Sequence, residues 1–321
     1  MAIYRLNLSV ALICAALLFA ARGQSFAQTA PDADRAQLSQ NQLGSPLGTA
    51  PETTSEGVED GHAAATPNDE DIGQQEILKR AAQYQPFTAS LGCPIFYTSN
   101  VALTRSGEMS DVVIAPVAAV YYQPRITKTL YGNVDAREQV FYYGDNRAFD
   151  FASLDVEAGL NYFLPQFHNL ILRGEYDFNR LTMDDRLGDE FFSNHSLIFS
   201  AEVPFRFSRA QQLAVGVDTN ISVGADHQSP RRNDYEGYLG YTVNLTRAFT
   251  INALGRVVAR DYYRNGRTDV SEIISATATY RFTNWCSINA ISSFAHSDSN
   301  QDVFDYDVAN LGGAVSLAIK F

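Results

Sequence analysis

Apolar and polar residues alternate with a period of two through most of residues 87–321. Between residues 170 and 179, for example, Leu172 and Tyr176 fall on one face while Arg173 and Glu175 fall on the other. A period of two indicates a β-strand whose two faces meet different surroundings. The chain is therefore expected to form a sheet with one apolar face and one polar face.

The length of the alternating segments separates a membrane barrel from a soluble sandwich. They run for about 12 to 16 residues, which is longer than ordinary strands. Aromatic residues also cluster near their ends, at Tyr121-Tyr122, Tyr142-Tyr143, Tyr162-Phe163, Phe191-Phe192, Tyr262-Tyr263 and Trp285. Aromatic girdles of this kind mark the two lipid interfaces of outer-membrane barrels. We therefore expect the apolar face to meet lipid, whereas a soluble sandwich would turn it inward.

Twelve segments can be counted. Their approximate ranges are 88–105, 111–123, 129–143, 149–164, 170–182, 192–207, 212–224, 234–247, 249–264, 270–283, 285–298 and 305–321. Short connections alternate with longer polar ones, as in bacterial barrels. Closing the barrel satisfies the backbone hydrogen bonds that lipid cannot. The predicted fold is an all-β, antiparallel transmembrane barrel of about twelve strands. Ten to fourteen strands also fit, because Pro94 and Pro116 lie inside predicted strands.

The N-terminus has the features of an export signal. Arg5 supplies a basic region, residues 8–21 are apolar but too short to cross a bilayer, and small residues end at Ala27. We predict a signal peptide over residues 1–27. An uncleaved N-terminal anchor is the alternative.

Residues 28–71 carry nine acids and a single Arg. Such a segment buries too little apolar surface to offset chain entropy, so we predict a disordered acidic periplasmic segment. A short periplasmic helix is predicted over residues 72–86, where Ile72, Glu76 and Lys79 recur at helical spacing. The barrel is predicted over 87–321.

The chain ends on Phe321 after an alternating run. An exported protein that ends on an aromatic strand resembles outer-membrane barrels, whose assembly machinery reads that strand. Phe321 is therefore the predicted assembly signal. An even number of strands would place both termini in the periplasm of a Gram-negative cell, with the barrel in the outer membrane.

Two short motifs resemble a family. Residues 96–101 read Phe-Tyr-Thr-Ser-Asn-Val, and the pair Ser110-Asp111 precedes the second segment. This pattern is similar to porin-2-type β-barrel porins, a group similar to barrels of exopolysaccharide-export operons. The resemblance implies an outer-membrane barrel with a channel, and it brings no catalytic residues.

The polar face should line the lumen. The charged residues predicted there are Asp135, Arg137, Asp155, Glu157, Arg173, Glu175, Asp177, Glu202, Arg206, Asp218, Glu236, Arg256, Arg260, Arg281 and Lys320. Charges leave water only when they are paired, so ladders of opposite charge are expected across neighbouring strands. Mixed charge argues against strong ion selectivity. Alternatively, these pairs only brace a filled interior.

Catalytic and metal sites are not predicted. Asn194-His195-Ser196 could suggest a lipid hydrolase, but adjacent strand residues point to opposite faces, so His195 is expected to be a rim residue bonded to a loop. The acids of residues 183–190 lack the spacing of a calcium loop. No histidine pair has metal-ligand spacing. No cofactor and no nucleic acid partner are expected.

The expected function is passive or accessory passage of small polar solutes through an outer-membrane barrel. The expected partners are outer-membrane lipid, lipopolysaccharide and the barrel assembly machinery. The first alternative is a structural barrel that assists exopolysaccharide export, and the second is an outer-membrane lipid hydrolase.

Overall fold

The computed structural model describes residues 30–42, 85–183, 189–208 and 210–321. A single helix, α1 (Ala30–Gln42), precedes the strands. The strands are β1 (Phe87–Thr98), β2 (Asp111–Ile114), β3 (Val117–Tyr122), β4 (Leu130–Tyr143), β5 (Phe151–Leu164), β6 (Leu170–Met183), β7 (Glu190–Ser208), β8 (Gln211–Asp226), β9 (Arg232–Asn244), β10 (Phe249–Tyr262), β11 (Thr268–Thr283), β12 (Cys286–Ser299) and β13 (Tyr306–Lys320). Single turns of 3-10 helix lie at Arg147–Phe149, Pro165–Phe167 and Asp302–Phe304.

The strands form one closed antiparallel barrel. From β4 to β13 each strand pairs with the next one in the chain, and β13 pairs with β1 to close the ring. Both β2 and β3 lie between β1 and β4, so they share one position and the barrel has twelve strands in cross-section. The predicted fold and strand count are confirmed.

The two prolines that made the count uncertain behave differently. Pro94 lies within β1, whereas the second strand is interrupted at Ala115-Pro116 because proline has no N–H to donate. Hydrogen bonds to the neighbouring strands are still made at the break. The Ala115 N–H donates to the Pro94 carbonyl of β1 at 2.8 Å, and the Pro116 carbonyl accepts from the Val140 N–H of β4 at 3.0 Å. The barrel wall therefore continues across the break.

The two ends of the barrel differ in their connections. In the described part of the chain, the two-residue turn Asn284-Trp285 lies at the end that also holds Phe87 and Phe321, which we call the short-turn end. The opposite end, called the long-loop end, holds residues 99–110, 144–150, 227–231, 263–267 and 300–305. This asymmetry is typical of bacterial barrels, whose long loops face outward and whose short turns face the periplasm.

An apolar band covers the outside of the barrel. Leu172 and Tyr176 are 37% and 41% exposed, as the alternation predicts. Other exposed apolar side chains on the wall are Leu160, Leu197, Phe199, Val215, Val217, Leu239, Val257, Ile274, Phe294, Leu311, Val315 and Ile319. Their neighbours in sequence point into the barrel, so the arrangement is inside-out relative to a soluble protein.

Replacing Leu172 with arginine should destabilise the barrel. A cation on the lipid face near the bilayer midplane costs about 2–4 kcal/mol in outer-membrane barrels. The free energy of unfolding in lipid vesicles is the quantity to measure. The matched control is Ile198→Arg, because Ile198 pairs with Glu175 on the inward face and is half-buried. Equal losses for both variants would mean that the two faces are assigned wrongly.

The helix α1 corrects one prediction from the sequence. Residues 30–42 fall within the segment 28–71, which was predicted to be disordered, and that prediction is wrong for them. Residues 43–84, including most of the predicted helix at 72–86, lie outside the described residues. Among the residues that the structure does describe, no helix is long and apolar enough to cross a membrane.

Candidate functional site: the barrel lumen

One wall of the lumen is acidic. Five acids that were predicted to face inward lie on β4, β5 and β6. Three of them, Asp135, Glu157 and Asp177, stand directly opposite each other on adjacent strands. Like charges in that position repel each other. The predicted ladder of alternating charges is therefore wrong at this place.

Ion pairs do form elsewhere on the inward face. Arg137 approaches Asp155 at 3.5 Å on the acidic wall. Across the lumen, Arg256 approaches Glu236 at 3.6 Å and Arg260 approaches Asp234 at 3.8 Å. The charges on β9 and β10 are thus mixed and paired as predicted, whereas β4, β5 and β6 carry more acids than bases.

The remaining predicted lumen residues occupy three settings. Arg173 lies within electrostatic reach of Glu175 and Asp218. Glu202 accepts a hydrogen bond of 2.6 Å from the Tyr238 hydroxyl. The Tyr238 ring reaches it across Gly216, where any Cβ would come within 2.2 Å of the ring. Arg206, Arg281 and Lys320 are exposed near the short-turn end.

The third wall is neutral, and the sequence analysis did not single it out. Buried serines and asparagines on β11, β12 and β13 bond to each other across the strands. Ser271 donates to Ser297 at 2.8 Å, and Asn289 donates to Ser316 at 3.0 Å. The alternation of the sequence did indicate this wall, because Ser and Asn occupy the inward positions next to exposed residues such as Ile274.

The helix α1 lies inside the lumen in its long-loop half. Its beginning contacts residues of loops 144–150 and 263–267, and its end reaches Arg256 on the wall, whose guanidinium donates to the Asn41 carbonyl. The helix therefore starts at the end of the barrel opposite Phe321. The expectation that the N-terminal segment stays on the same side as Phe321 is wrong for residues 30–42.

A single carboxylate fixes the start of the helix. Arg232 and the Tyr262 hydroxyl donate to Asp34 Oδ1 at 2.6 and 2.9 Å, and Arg267 donates to Asp34 Oδ2 at 2.8 Å. All four side chains are buried. Asp269 accepts a further bond from Arg267 at 2.5 Å. Burial favours the neutral form of Arg267, but Asp269 and Asp34 outweigh it and raise the pKa of Arg267, which stays cationic.

Arg35 anchors the other side of the helix to an aromatic cluster. Its guanidinium donates to the Tyr143 hydroxyl at 3.3 Å and to the Phe149 carbonyl at 3.2 Å, and it lies 4.4 Å from the centre of the Phe149 ring. Phe141 and Phe151 stack at 4.4 Å beside it. Cation–π contacts of this kind add to the hydrogen bonds.

These rings correct the assignment of the aromatic girdles. Tyr143, Phe163, Phe192 and Tyr262 are buried inside the barrel or under its loops, although their positions near segment ends predicted lipid contact. Adjacent residues of a strand point to opposite faces, so only one member of most aromatic pairs can reach lipid.

A second apolar cluster holds the middle of the helix. Leu38 is 3% exposed and packs with Leu103, Val258, Ile273 and Tyr306. Ala33 and Ala36 are fully buried against the aromatic cluster on the opposite side. Polar bonds at both ends and apolar contacts between them hold the helix in the lumen.

Beside the helix lies a cavity of about 440 Å³. The helix contributes Gln37, Gln40 and Asn41 to its lining, and the walls contribute Arg137, Gln139, Asp155, Asp177, Asn179, Asn194, Glu202, Asn220, Pro230, Arg232, Asp234, Glu236, Tyr238, Leu254 and Arg256. Five of these are acids and three are arginines, so the formal charge of the lining is −2. The helix thus forms one wall of a polar chamber.

The tripeptide around His195 does not form a catalytic triad. His195 lies on the outer face and bonds to the Tyr176 hydroxyl at 2.5 Å, not to a loop as predicted. Asn194 and Ser196 point inward, where Asn194 accepts from Ser222 and Ser196 donates to Asp177. Most of the acidic loop 183–190 lies outside the described residues. Within the part of the chain that the structure describes, no group of His, Cys, Asp or Glu side chains is arranged to hold a metal.

Solved structures resemble this fold. An outer-membrane channel from Pseudomonas putida F1 matches with a TM-score of 0.54 and 11% identity, over 78% of this chain and 99% of that one. The chain is an outer-membrane-type β-barrel. The translocator domain of an autotransporter from Neisseria meningitidis (TM-score 0.46, 11% identity, 90% and 97% covered) and an anion-selective porin from Comamonas acidovorans (0.36, 6%, 73% and 98%) also match.

No protein-family model matches the chain, and no curated protein sequence does. The fold is that of an outer-membrane channel, which confirms the resemblance to outer-membrane β-barrels stated from the sequence. The narrower resemblance to porin-2-type barrels stays a prediction.

Proposed function

We propose that the protein is a porin-like channel of the outer membrane that passes small polar solutes, with its long loops outside and its short turns in the periplasm. The observation that carries this proposal is a polar lumen of charged, amide and hydroxyl side chains inside an apolar exterior. A barrel that served only as a membrane anchor would not need a chamber of about 440 Å³.

The helix α1 sets the conducting state in this proposal. It occupies the long-loop half of the lumen, from the loops down to Arg256, so the closed state is the resting one, and solutes pass when the helix is displaced. The charged and amide side chains that line the lumen give the open state a polar path from the long-loop end to the short-turn end.

Swelling of liposomes tests passage directly. Vesicles would hold the refolded full-length protein or its Asp34→Asn variant, in which the two arginines lose their shared carboxylate. Vesicles with the variant should swell faster than vesicles with wild type in small neutral sugars, and their swelling rate should fall as the sugar becomes larger. Asp302→Asn is the matched control, because Asp302 is an exposed loop acid whose side chain contacts Arg105 at 3.5 Å. If folded wild type and variant both fail to admit any sugar, the barrel is closed, and a structural barrel for exopolysaccharide export becomes the better account.

Charge selectivity gives a second prediction. Replacing Arg173 with glutamine removes a positive charge beside Glu175 and Asp218 and leaves the contacts of the helix intact. Low-dielectric walls focus the remaining negative potential, so cation preference should rise. The rise should be largest at low salt, since the Debye length is about 30 Å at 0.01 M. Reversal potentials in a salt gradient measure it, and Arg125→Gln in an exposed turn is the control. An unchanged reversal potential would place Arg173 outside the conducting path.

A further inference from the structure

We propose that Arg232, Arg267 and Tyr262 form a binding site for small carboxylates at the long-loop end, which the chain itself occupies with the side chain of Asp34. Carboxylate solutes arriving from outside compete with Asp34 for this site. Binding at the site does not depend on the channel function proposed above.

The geometry is that of a built carboxylate site. Three donors from two strands and a loop converge on the two oxygens of Asp34, at 2.6, 2.8 and 2.9 Å. Arginine and tyrosine donors in a buried setting favour a carboxylate, because charge-assisted bonds are short and strong where water is excluded. The Tyr262 ring also lies 4.1 Å from the Arg267 guanidinium, and the Phe304 ring lies 3.7 Å from it on the same loop end. These rings fix the arginine in place.

The charges around the site balance only when an anion is bound. Arg232, Arg260 and Arg267 are buried together, and Asp234 and Asp269 pair with them at 3.0 and 2.5 Å. Asp34 supplies the third negative charge. If α1 leaves, three cations remain beside two acids, and the site keeps a net positive charge. Opposite charges attract at short range, so the vacated site favours an external anion.

The site is also within reach of solutes. A cavity of about 220 Å³ adjoins it and is lined by Asp34, Tyr262 and Arg267 together with the exposed loop residues Arg264 and Asn265. A small mono- or dicarboxylate fits that space. It can therefore approach Arg267 from the loop side while Asp34 still occupies the site.

Formate binding to the refolded full-length Asp34→Ala variant tests the site, because formate is the group that the substitution removes. The variant should bind formate roughly tenfold or more tightly than wild type by calorimetry, since wild type already holds a carboxylate there. Asp34→Ala with Arg267→Gln should lose that gain, and Asp302→Ala, an exposed acid at the same end, should show none. Equal binding by wild type and Asp34→Ala would overturn the proposal, and chloride binding as tightly as formate would overturn the carboxylate assignment.

Competition between a carboxylate solute and Asp34 can be measured in the wild-type protein by proteolysis. Trypsin cleaves after Arg35, which is 5% exposed while α1 is docked. Succinate added to the full-length protein should speed that cleavage several-fold over sodium chloride of equal ionic strength, as followed by mass spectrometry. The Asp34→Asn variant should be cleaved quickly with or without succinate. If succinate leaves the wild-type rate unchanged, solutes do not displace Asp34 and the competition is ruled out.

Discussion

Replacing Ala36 with proline is expected to convert a barrel that is mostly closed into one that conducts persistently. Proline inside a helix costs about 3 kcal/mol, because it removes a hydrogen bond and clashes with the preceding turn. Ala36 is also fully buried, so the ring has no room against the aromatic cluster. A shift of that size changes the ratio of docked to released helix by roughly a hundredfold. Single-channel recording in planar bilayers measures it as open probability.

A graded control accompanies this prediction. Ala36→Gly costs only about 1 kcal/mol in a helix interior, so open probability should rise about fivefold. Glycine adds no atoms to the packed site, which separates loss of helix stability from a steric clash. The heat-dependent mobility of each variant in gels establishes that its barrel has folded. Identical recordings from wild type, Ala36→Gly and Ala36→Pro would mean that α1 does not control the path.

Deleting Phe321 is expected to remove most of the protein from the outer membrane. Phe321 and Phe87 exchange two backbone hydrogen bonds, of 3.0 and 3.1 Å, and their rings stack at 5.8 Å. These contacts finish the seam between β13 and β1, where the barrel closes. They are worth about 1 kcal/mol for each hydrogen bond and about 0.5–1.5 kcal/mol for the ring pair.

Two point variants separate closure of the seam from recognition during assembly. Phe321→Ala keeps the backbone bonds and loses the ring, whereas Phe321→Tyr keeps both. We propose that the assembly machinery reads the terminal ring, so outer-membrane levels should be near normal for Phe321→Tyr and low for Phe321→Ala. Immunoblots of membrane fractions measure this. Normal levels of the deletion variant would show that Phe321 is neither a seam residue of importance nor an assembly signal.

The barrel could be predicted from the sequence because its requirements are local and repeated. Each strand must present an apolar residue to lipid at every second position, so a run such as Leu172 to Tyr176 carries the signal by itself. The predicted ends of most strands agree with the structure to within two residues. The connections could be predicted for the same reason, since loops interrupt the alternation.

The helix could not be predicted by the same reasoning. A helix that packs on a protein core shows an apolar stripe, but α1 lies in a polar lumen and needs only Ala33, Ala36 and Leu38 for its apolar contacts. At 13 residues it would be marginal as an isolated helix in water. Its stability comes from Arg232 and Arg267, which are about 200 residues away in the chain, and no local pattern records that contact.

The distribution of charge in the lumen also could not be predicted from the sequence. Alternation assigns Asp135, Glu157 and Asp177 to the inward face, but the register of the strands decides which residues stand opposite each other. The register places these three acids in one row, whereas it sets Arg260 on β10 opposite Asp234 on β9. A list of inward residues therefore predicts which charges line the lumen, but it does not predict which of them form pairs.

The central claim is that α1 closes a conducting lumen, and tethering the helix in a single barrel tests it most directly. Ser39 on α1 and Thr98 on β1 line the same small gap. Cysteines at these two positions, with Cys14, Cys93 and Cys286 replaced by alanine, can be joined by a short bis-maleimide cross-linker that contains a disulfide, which tethers the helix in the Asp34→Asn protein. The measurement is single-channel conductance before and after reduction of the tether. We predict no conductance while the disulfide is intact and open channels once it is reduced. Equal conductance in both states would contradict the account.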